Sequence, residues 1–364
     1  MMSLRNNTVD AMEGGDFEEI VNISNFTNDS LFDEGPRDSS KILWWHLVLL
    51  VLAFIGILGN TLVLMVLLRR KQKRSSTDTL IANLALADLA ICLSAILVPI
   101  ADSFKGIKTI PTGYCPFVDI PFTSLVATEA SVLTLMGISI ERFVAVLHPN
   151  AFERTFTPRR TLAIIGSIWV FSVVLDIYHF FIIGQENGEC TTTFPSGVKG
   201  IILGIFIFSC RYFIPATVMV ICQLRTIWEL RTRKTLFIRP SRRRKSQRIR
   251  LVRVRRRVIA TLFAVIVVFI ICWTPDQLYF LFCSVYVISR SEIYSVTHRN
   301  LLLIGFTNSL FNIIIYAALN PKFRKALKNM FMDFVEGCHF RGCYSHHEYA
   351  VGQTRIPMQD RRPN

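Results

Sequence analysis

Apolar residues in this chain fall into seven runs, near 43–68, 79–102, 117–147, 161–184, 200–227, 257–287 and 299–319. Each is about 20 residues or longer, the length a helix needs to cross the ~30 Å hydrocarbon core of a bilayer. Lipid cannot satisfy exposed backbone groups, so spans are helices or a closed barrel. Barrel strands are short and alternate apolar with polar residues; these runs do not. The expected fold is an all-α membrane protein, a seven-transmembrane helix bundle over 43–320. A soluble domain and an internal repeat are both missing from the pattern.

Charge orients the bundle. Arg69, Arg70, Lys71, Lys73 and Arg74 follow the first run, and a dense basic stretch from Arg225 to Arg257 separates the fifth from the sixth. Lys322, Arg324, Lys325 and Lys328 follow the seventh. Positive loops face the cytoplasm. The first 40 residues are acidic, with Asp10, Glu13, Asp16, Glu18, Glu19, Asp29, Asp33, Glu34 and Asp38 against Arg5 and Arg37. Both signals put the N-terminus outside and the C-terminus inside, at the plasma membrane. The net charge of +15 therefore belongs to the cytoplasmic face. It suits anionic lipid and an acidic cytosolic partner, not nucleic acid.

Sequons at Asn6, Asn22, Asn25 and Asn28 mark the N-terminal tail as an extracellular glycosylated segment. With no cleavable signal apparent before it, the first span serves as the insertion signal. Cys115 and Cys190 fall in the two longer outside loops, where disulfides form, and are expected to pair. Cys92, Cys210, Cys222, Cys272 and Cys283 read as small apolar packing residues. After Pro321, Phe323, Leu327, Met330 and Phe331 recur at helical spacing opposite the basic residues, which predicts an amphipathic helix over 321–335 on the inner leaflet. Cys338 and Cys343, in the tail of 336–364, are palmitoylation candidates.

Polar residues inside the apolar runs carry the functional signal. Asp88 lies within the second, and a carboxylate at bilayer depth is costly enough to suggest a functional site. Ser131 sits eleven residues before Arg142 on the same face of the third run. Asn308, Asn312 and Tyr316 recur every four residues and form one stripe. Asp88, Ser131, Asn308, Ser309 and Asn312 are thus candidates for one interior cavity whose hard oxygen ligands suit a small cation, with a hydrated polar network as the alternative.

Further motifs recur in order: Gly59-Asn60 with Val63; Asn83 through Asp88; Glu141-Arg142-Phe143, then Ala145 to Pro149; Trp169; Pro215; Phe269 with Cys272-Trp273-Thr274-Pro275; and Pro321-Lys322-Phe323-Arg324. Together they resemble the rhodopsin-like (class A) G-protein-coupled receptors over about 43–335. The resemblance implies that the Asp88 set holds sodium in the inactive state. It implies that Arg142, held by Glu141 at rest, meets the G protein when the sixth helix moves out. Phe269 and Trp273, below the kink at Pro275, would convert ligand contacts into that movement.

Four departures stand out. Ile313 follows Asn312 where the family has proline. Gln223 occupies the place of a fifth-helix tyrosine that approaches Tyr316 in the active state. Cys115 to Arg142 is two residues longer than usual, with Pro116 and Pro121 between, and a local bulge is expected there. Arg255, Arg256 and Arg257 replace the acid that would lock the third helix to the sixth.

No lysine lies between Asn300 and Asn320, so retinal has no attachment point. Ser124, or a near neighbour, stands where amine receptors carry aspartate. Ionisable residues occupy outer positions instead: Glu129, Asp176, His179, Arg211 and Asp276, the last beside Gln277. They read either as a structural ion cluster or as pocket contacts for a polar ligand. The motif context looks most like neuropeptide receptors, loosely the bombesin and galanin-like groups, and the acidic tail favours a basic peptide. The resemblance implies a peptide-gated activator of heterotrimeric G proteins. A non-signalling ligand-capture receptor is the alternative, motivated by Ile313 and Gln223. The chain shows neither the broken-helix pairs of transporters nor a nucleophile or metal-ligand constellation of an enzyme. Arrestin and a receptor kinase are further partners, although hydroxyls in the tail are few, chiefly Ser345 and Thr354.

Overall fold

A computed structural model describes residues 39–69, 75–102, 115–118, 121–186, 189–233, 242–293, 295–319, 323–330 and 332. The side chains of 39–43, 101–102, 118, 185–192, 233, 242–258, 316 and 319 are not among them. The sequons, Cys338 and Cys343 lie outside the described residues. The chain divides at Trp45 and His46 into two units. The first is described only from Ser39 and is helical there.

Among the described residues, six helices are long and apolar enough to cross a membrane. The first is Ser39–Leu68 and the second Ser76–Ala95. The third is Phe122–Leu147, the fourth Pro158–Asp176 and the sixth Arg242–Ser284. The fifth runs from Gly197–Phe208 through a π-turn, Ser209–Phe213, into Ile214–Arg233. The seventh span comes in two pieces, Val296–Phe306 and Asn308–Leu319, broken at Thr307. Residues 323–330 are helical as well, with Phe323 buried and Arg324, Lys325 and Lys328 exposed.

Local chemistry sets several of these boundaries. Ser75 caps the second helix through a reciprocal box with Asp78. Thr157 caps the fourth, with Pro158 in the first turn, where its missing N–H costs nothing. Ser295 accepts from the His298 N–H at 3.3 Å and starts the seventh span.

Two expectations change in the structure. The expected bulge before the third helix is a break: Cys115–Val118 forms its own short helix and the third begins at Phe122, after Pro121. Proline has no N–H to donate and pushes the preceding residue away from helical geometry. The fifth helix also departs from a regular α-helix. Pro215 leaves the carbonyl four residues earlier, that of Arg211, without its donor, and the chain widens into a π-turn over that stretch.

Two antiparallel strands, β1 (Ile183–Glu186) and β2 (Glu189–Thr192), follow the fourth helix with Gln185 opposite Cys190. Cys115 is buried and disulfide-bonded. The side chain of Cys190, its expected partner, lies outside the described residues.

The main apolar core joins Leu80, Leu84, Leu135, Ile138, Met219, Val265 and Phe269. Outward-facing positions are just as apolar, among them Leu47, Phe54, Val170, Ile202 and Ile271. Such a surface suits lipid rather than water. Polar ties cross the bundle inside this shell. Trp169 Nε1 donates to Asn83 Oδ1 at 3.0 Å, and Asn83 Nδ2 donates to Thr134 Oγ1 at 2.8 Å, joining the fourth, second and third helices.

Candidate functional site

Asp88 is completely buried, and three helices converge on it. Ser131 and Ser309 hydroxyls each donate to its Oδ1 at 3.0 Å, and the Asn312 amide donates to Oδ2 at 3.0 Å. A lone carboxylate in an apolar interior is costly, and hydrogen bonds to the charged form offset part of that cost. Asn308 is buried beside this group on the seventh span, but it does not bond Asp88, and its amide oxygen has no partner. The Asn312 amide oxygen is also buried without a partner. The set therefore offers a carboxylate, two hydroxyls and two unused amide oxygens, a donor chemistry that fits sodium.

At the inner end of the third helix, Glu141 is fully buried. Its Oε1 accepts from Ser76 at 2.9 Å and from Thr77 at 2.7 Å, and its Oε2 pairs with Arg142 Nε at 3.0 Å. Arg142 also donates to the Thr77 hydroxyl. Arg142 is thus held against the second helix by Glu141 and Thr77. The involvement of Thr77 was not legible in the sequence, because it lies 65 residues away, just before the apolar run that begins at 79.

Gln223 is buried, and its amide donates to the Ile259 carbonyl at 2.9 Å, tying the fifth helix to the sixth. The side chain of Tyr316 is not described. Above, Phe269 is fully buried, with the Tyr212 ring at 6.0 Å. Tyr212 hydrogen-bonds Thr274. Trp273 lies against Gly305: a Cβ there would come within 3.0 Å of the indole. Glycine is what permits that approach. Pro275 sits exposed inside the sixth helix.

The outer ionisable residues resolve into two groups. Asp176 is buried and pairs with Arg211, whose guanidinium also lies 5.9 Å from the centre of the Tyr178 ring. Glu129 is 2% exposed and within electrostatic reach of Arg211, yet its Oε1 has no hydrogen-bond partner. His179 is fully buried at the start of the short helix His179–Ile182. Between the sixth helix and the seventh, Asp276 faces His298 at 3.2 Å and accepts from Gln277 Nε2 at 2.8 Å. His298 was missed by sequence reading because the seventh run was begun at 299, one residue too late. Ser124 is half-buried in the first turn of the third helix.

The family description "7 transmembrane receptor (rhodopsin family)" matches residues 59–316. The chain belongs to this family. Neuromedin-U receptor 2 of Homo sapiens is 28% identical over 324 residues, covering 84% of this chain and 75% of that protein. The receptor of the same name from Rattus norvegicus is 29% identical over 334 residues, covering 84% of this chain and 80% of that protein. The Drosophila melanogaster tachykinin-like peptides receptor 99D is 28% identical over 310 residues, covering 79% of this chain and 58% of that protein. The chain is a multi-pass membrane protein of the receptor type, and the fold agrees with the all-α bundle expected from its apolar runs.

Proposed function

We propose that this protein is a cell-surface receptor that binds an extracellular neuropeptide and activates heterotrimeric G proteins by outward movement of its sixth helix. Its N-terminal tail lies outside the plasma membrane. The observation that carries the signalling half is the hold on Arg142 by Glu141 and Thr77: a cation restrained at the cytoplasmic end of the bundle, ready to be released. The peptide half rests on relatives whose names are those of peptide receptors. Ligand contacts fall to the outer residues Glu129, Asp176, Arg211, Asp276 and Gln277, with Ser124 and His179 at the margin.

Movement at the outer pocket reaches the cytoplasm through Trp273 and Phe269, which share a face of the sixth helix below the flexible point at Pro275. In the resting state Asp88, Ser131, Ser309, Asn312 and Asn308 would hold a sodium ion, whose charge offsets the buried carboxylate. The helix over 323–330 lies on the inner leaflet, with Phe323 inward and its basic residues toward anionic headgroups.

The test is a G-protein activation assay in cells expressing the full chain, screened against a neuropeptide library, with Arg142→Ala as control. A peptide response that disappears in the variant at unchanged surface expression supports the reading. Peptide binding or uptake with no G-protein response would overturn it in favour of ligand capture without signalling.

A further inference from the structure

Three buried carboxylates occupy the outer half of the bundle, Glu129, Asp176 and Asp276. The described basic groups of this region include one guanidinium, Arg211, and two buried imidazoles, His179 and His298; Arg211 and His298 are committed, and none of the three forms a salt bridge with Glu129 among the described residues. Arg211 pairs with Asp176 and sits against the Tyr178 ring. His298 pairs with Asp276. Glu129 remains. It is 2% exposed, takes no ion pair among the described residues, and leaves Oε1 without a hydrogen bond. A buried carboxylate without a partner is costly, and the cost is relieved when a cation enters beside it.

The local backbone points the same way. The π-turn Ser209–Phe213 widens the fifth helix where Arg211 leaves it to reach Asp176 on the fourth. Turns of this kind concentrate at functional sites. The arrangement keeps the Arg211 guanidinium in its pair with Asp176, so that it reaches the third-helix acid through space but forms no ion pair with it.

We infer that Glu129 is the counter-ion for a cationic group of the ligand, the guanidinium or ammonium of a basic peptide side chain, received between the third and fifth helices. The inference rests on the peptide-receptor reading and adds the chemistry of one contact to it. Asp176 then acts on this contact indirectly, by keeping Arg211 in its own ion pair.

The experiment uses purified full-length protein and two small probes with blocked α-amines, N-acetyl-L-arginine amide and its neutral isostere N-acetyl-L-citrulline amide. The arginine probe at about ten times its Kd should raise the unfolding midpoint by about 2–4 °C, and the citrulline probe should not. Glu129→Gln should abolish the shift, Glu129→Asp should keep part of it, and Glu153→Gln, at an exposed acid on the short helix Pro149–Thr155, should leave it intact. Equal or absent shifts from the two probes in the wild-type protein overturn the inference. So does a shift that survives Glu129→Gln, or one lost equally in Glu153→Gln. The readout involves no G protein, so failure of peptide signalling in cells and failure of this contact are read separately.

Discussion

The side-chain amide of Gln223 donates to the backbone carbonyl of Ile259 at 2.9 Å, from a position almost closed to solvent. This bond fastens the inner part of the fifth helix to that of the sixth. It stands where the resemblance implied a tyrosine, in a chain whose sixth helix carries Arg255, Arg256 and Arg257 in place of an acid. A net buried hydrogen bond is worth about 1 kcal/mol, or roughly fivefold in a two-state equilibrium. Gln223→Ala should raise basal nucleotide exchange by about that factor if the bond exists only while the sixth helix is in. Unchanged basal exchange at equal expression would show that the two helices carry the bond with them when they move.

Thr77 supplies a second restraint, because its hydroxyl donates to Glu141 and accepts from Arg142. Thr77→Val keeps the shape and removes both bonds. Hydrogen bonds to charged groups are each worth about 1.5–3 kcal/mol, so basal exchange should rise more than in Gln223→Ala. The two changes lie on different helix pairs, and their effects on the resting equilibrium should add. A Thr77→Val protein with wild-type basal exchange would remove Thr77 from the switch.

At Asp88 the expected effect concerns an ion. Asp88→Asn keeps the volume, removes the charge and leaves the Ser131, Ser309 and Asn312 donors facing a group that accepts less. Agonist affinity measured in sodium and in a bulky organic cation should differ in the wild-type protein and converge in the variant. Sodium sensitivity that persists in Asp88→Asn would contradict the ion reading and leave a hydrated polar network.

How far these sites could be read from the sequence depended on whether spacing alone placed the residues. Asp88 and the stripe through Asn308 and Asn312 were legible, since helical period puts the seventh-span residues on one face. Which of them bonds Asp88 was not: Ser309 and Asn312 do, and Asn308 does not, because the break at Thr307 sets the rotation of the lower piece. The Glu141–Arg142 pair was legible as neighbours, whereas Thr77 needed the packing of the second helix on the third. The π-turn at Ser209–Phe213 follows from Pro215 only once the surrounding helices absorb its extra residue. His298 fell outside a boundary drawn from hydropathy, since a buried histidine at a helix start lowers the apolar average that defines the run.

Gly305 provides a steric test of the aromatic switch. An added Cβ would lie 3.0 Å from two atoms of the Trp273 ring. Overpacking of this kind costs about 1–3 kcal/mol when the neighbours cannot move. Gly305→Ala should therefore displace the indole and lower agonist efficacy more than agonist affinity, measured as the maximal G-protein response against binding. Trp273→Phe, with a smaller ring, should restore part of the stability lost in Gly305→Ala. If Gly305→Ala signals normally, the indole position does not limit activation.

Ile313, which stands where the family carries proline, fills a specific space. Its side chain lies over Gly59 on the first helix, so closely that a Cβ on Gly59 would collide with it. Gly59→Ala should be destabilising by about 1–3 kcal/mol, as overpacked sites are. Ile313→Ala alone should also be destabilising, through the cavity it opens. Combined, the two changes trade volume across the same contact, so the double variant should be more stable than the sum of the single effects predicts. Ile313→Pro is not a neutral restoration of the family pattern. It removes the packing over Gly59 and a helical N–H together, and it should lower thermal stability even where it alters signalling. Additive losses in Gly59→Ala with Ile313→Ala, read from unfolding midpoints of the purified proteins, would show that the first and seventh helices do not meet at this pair.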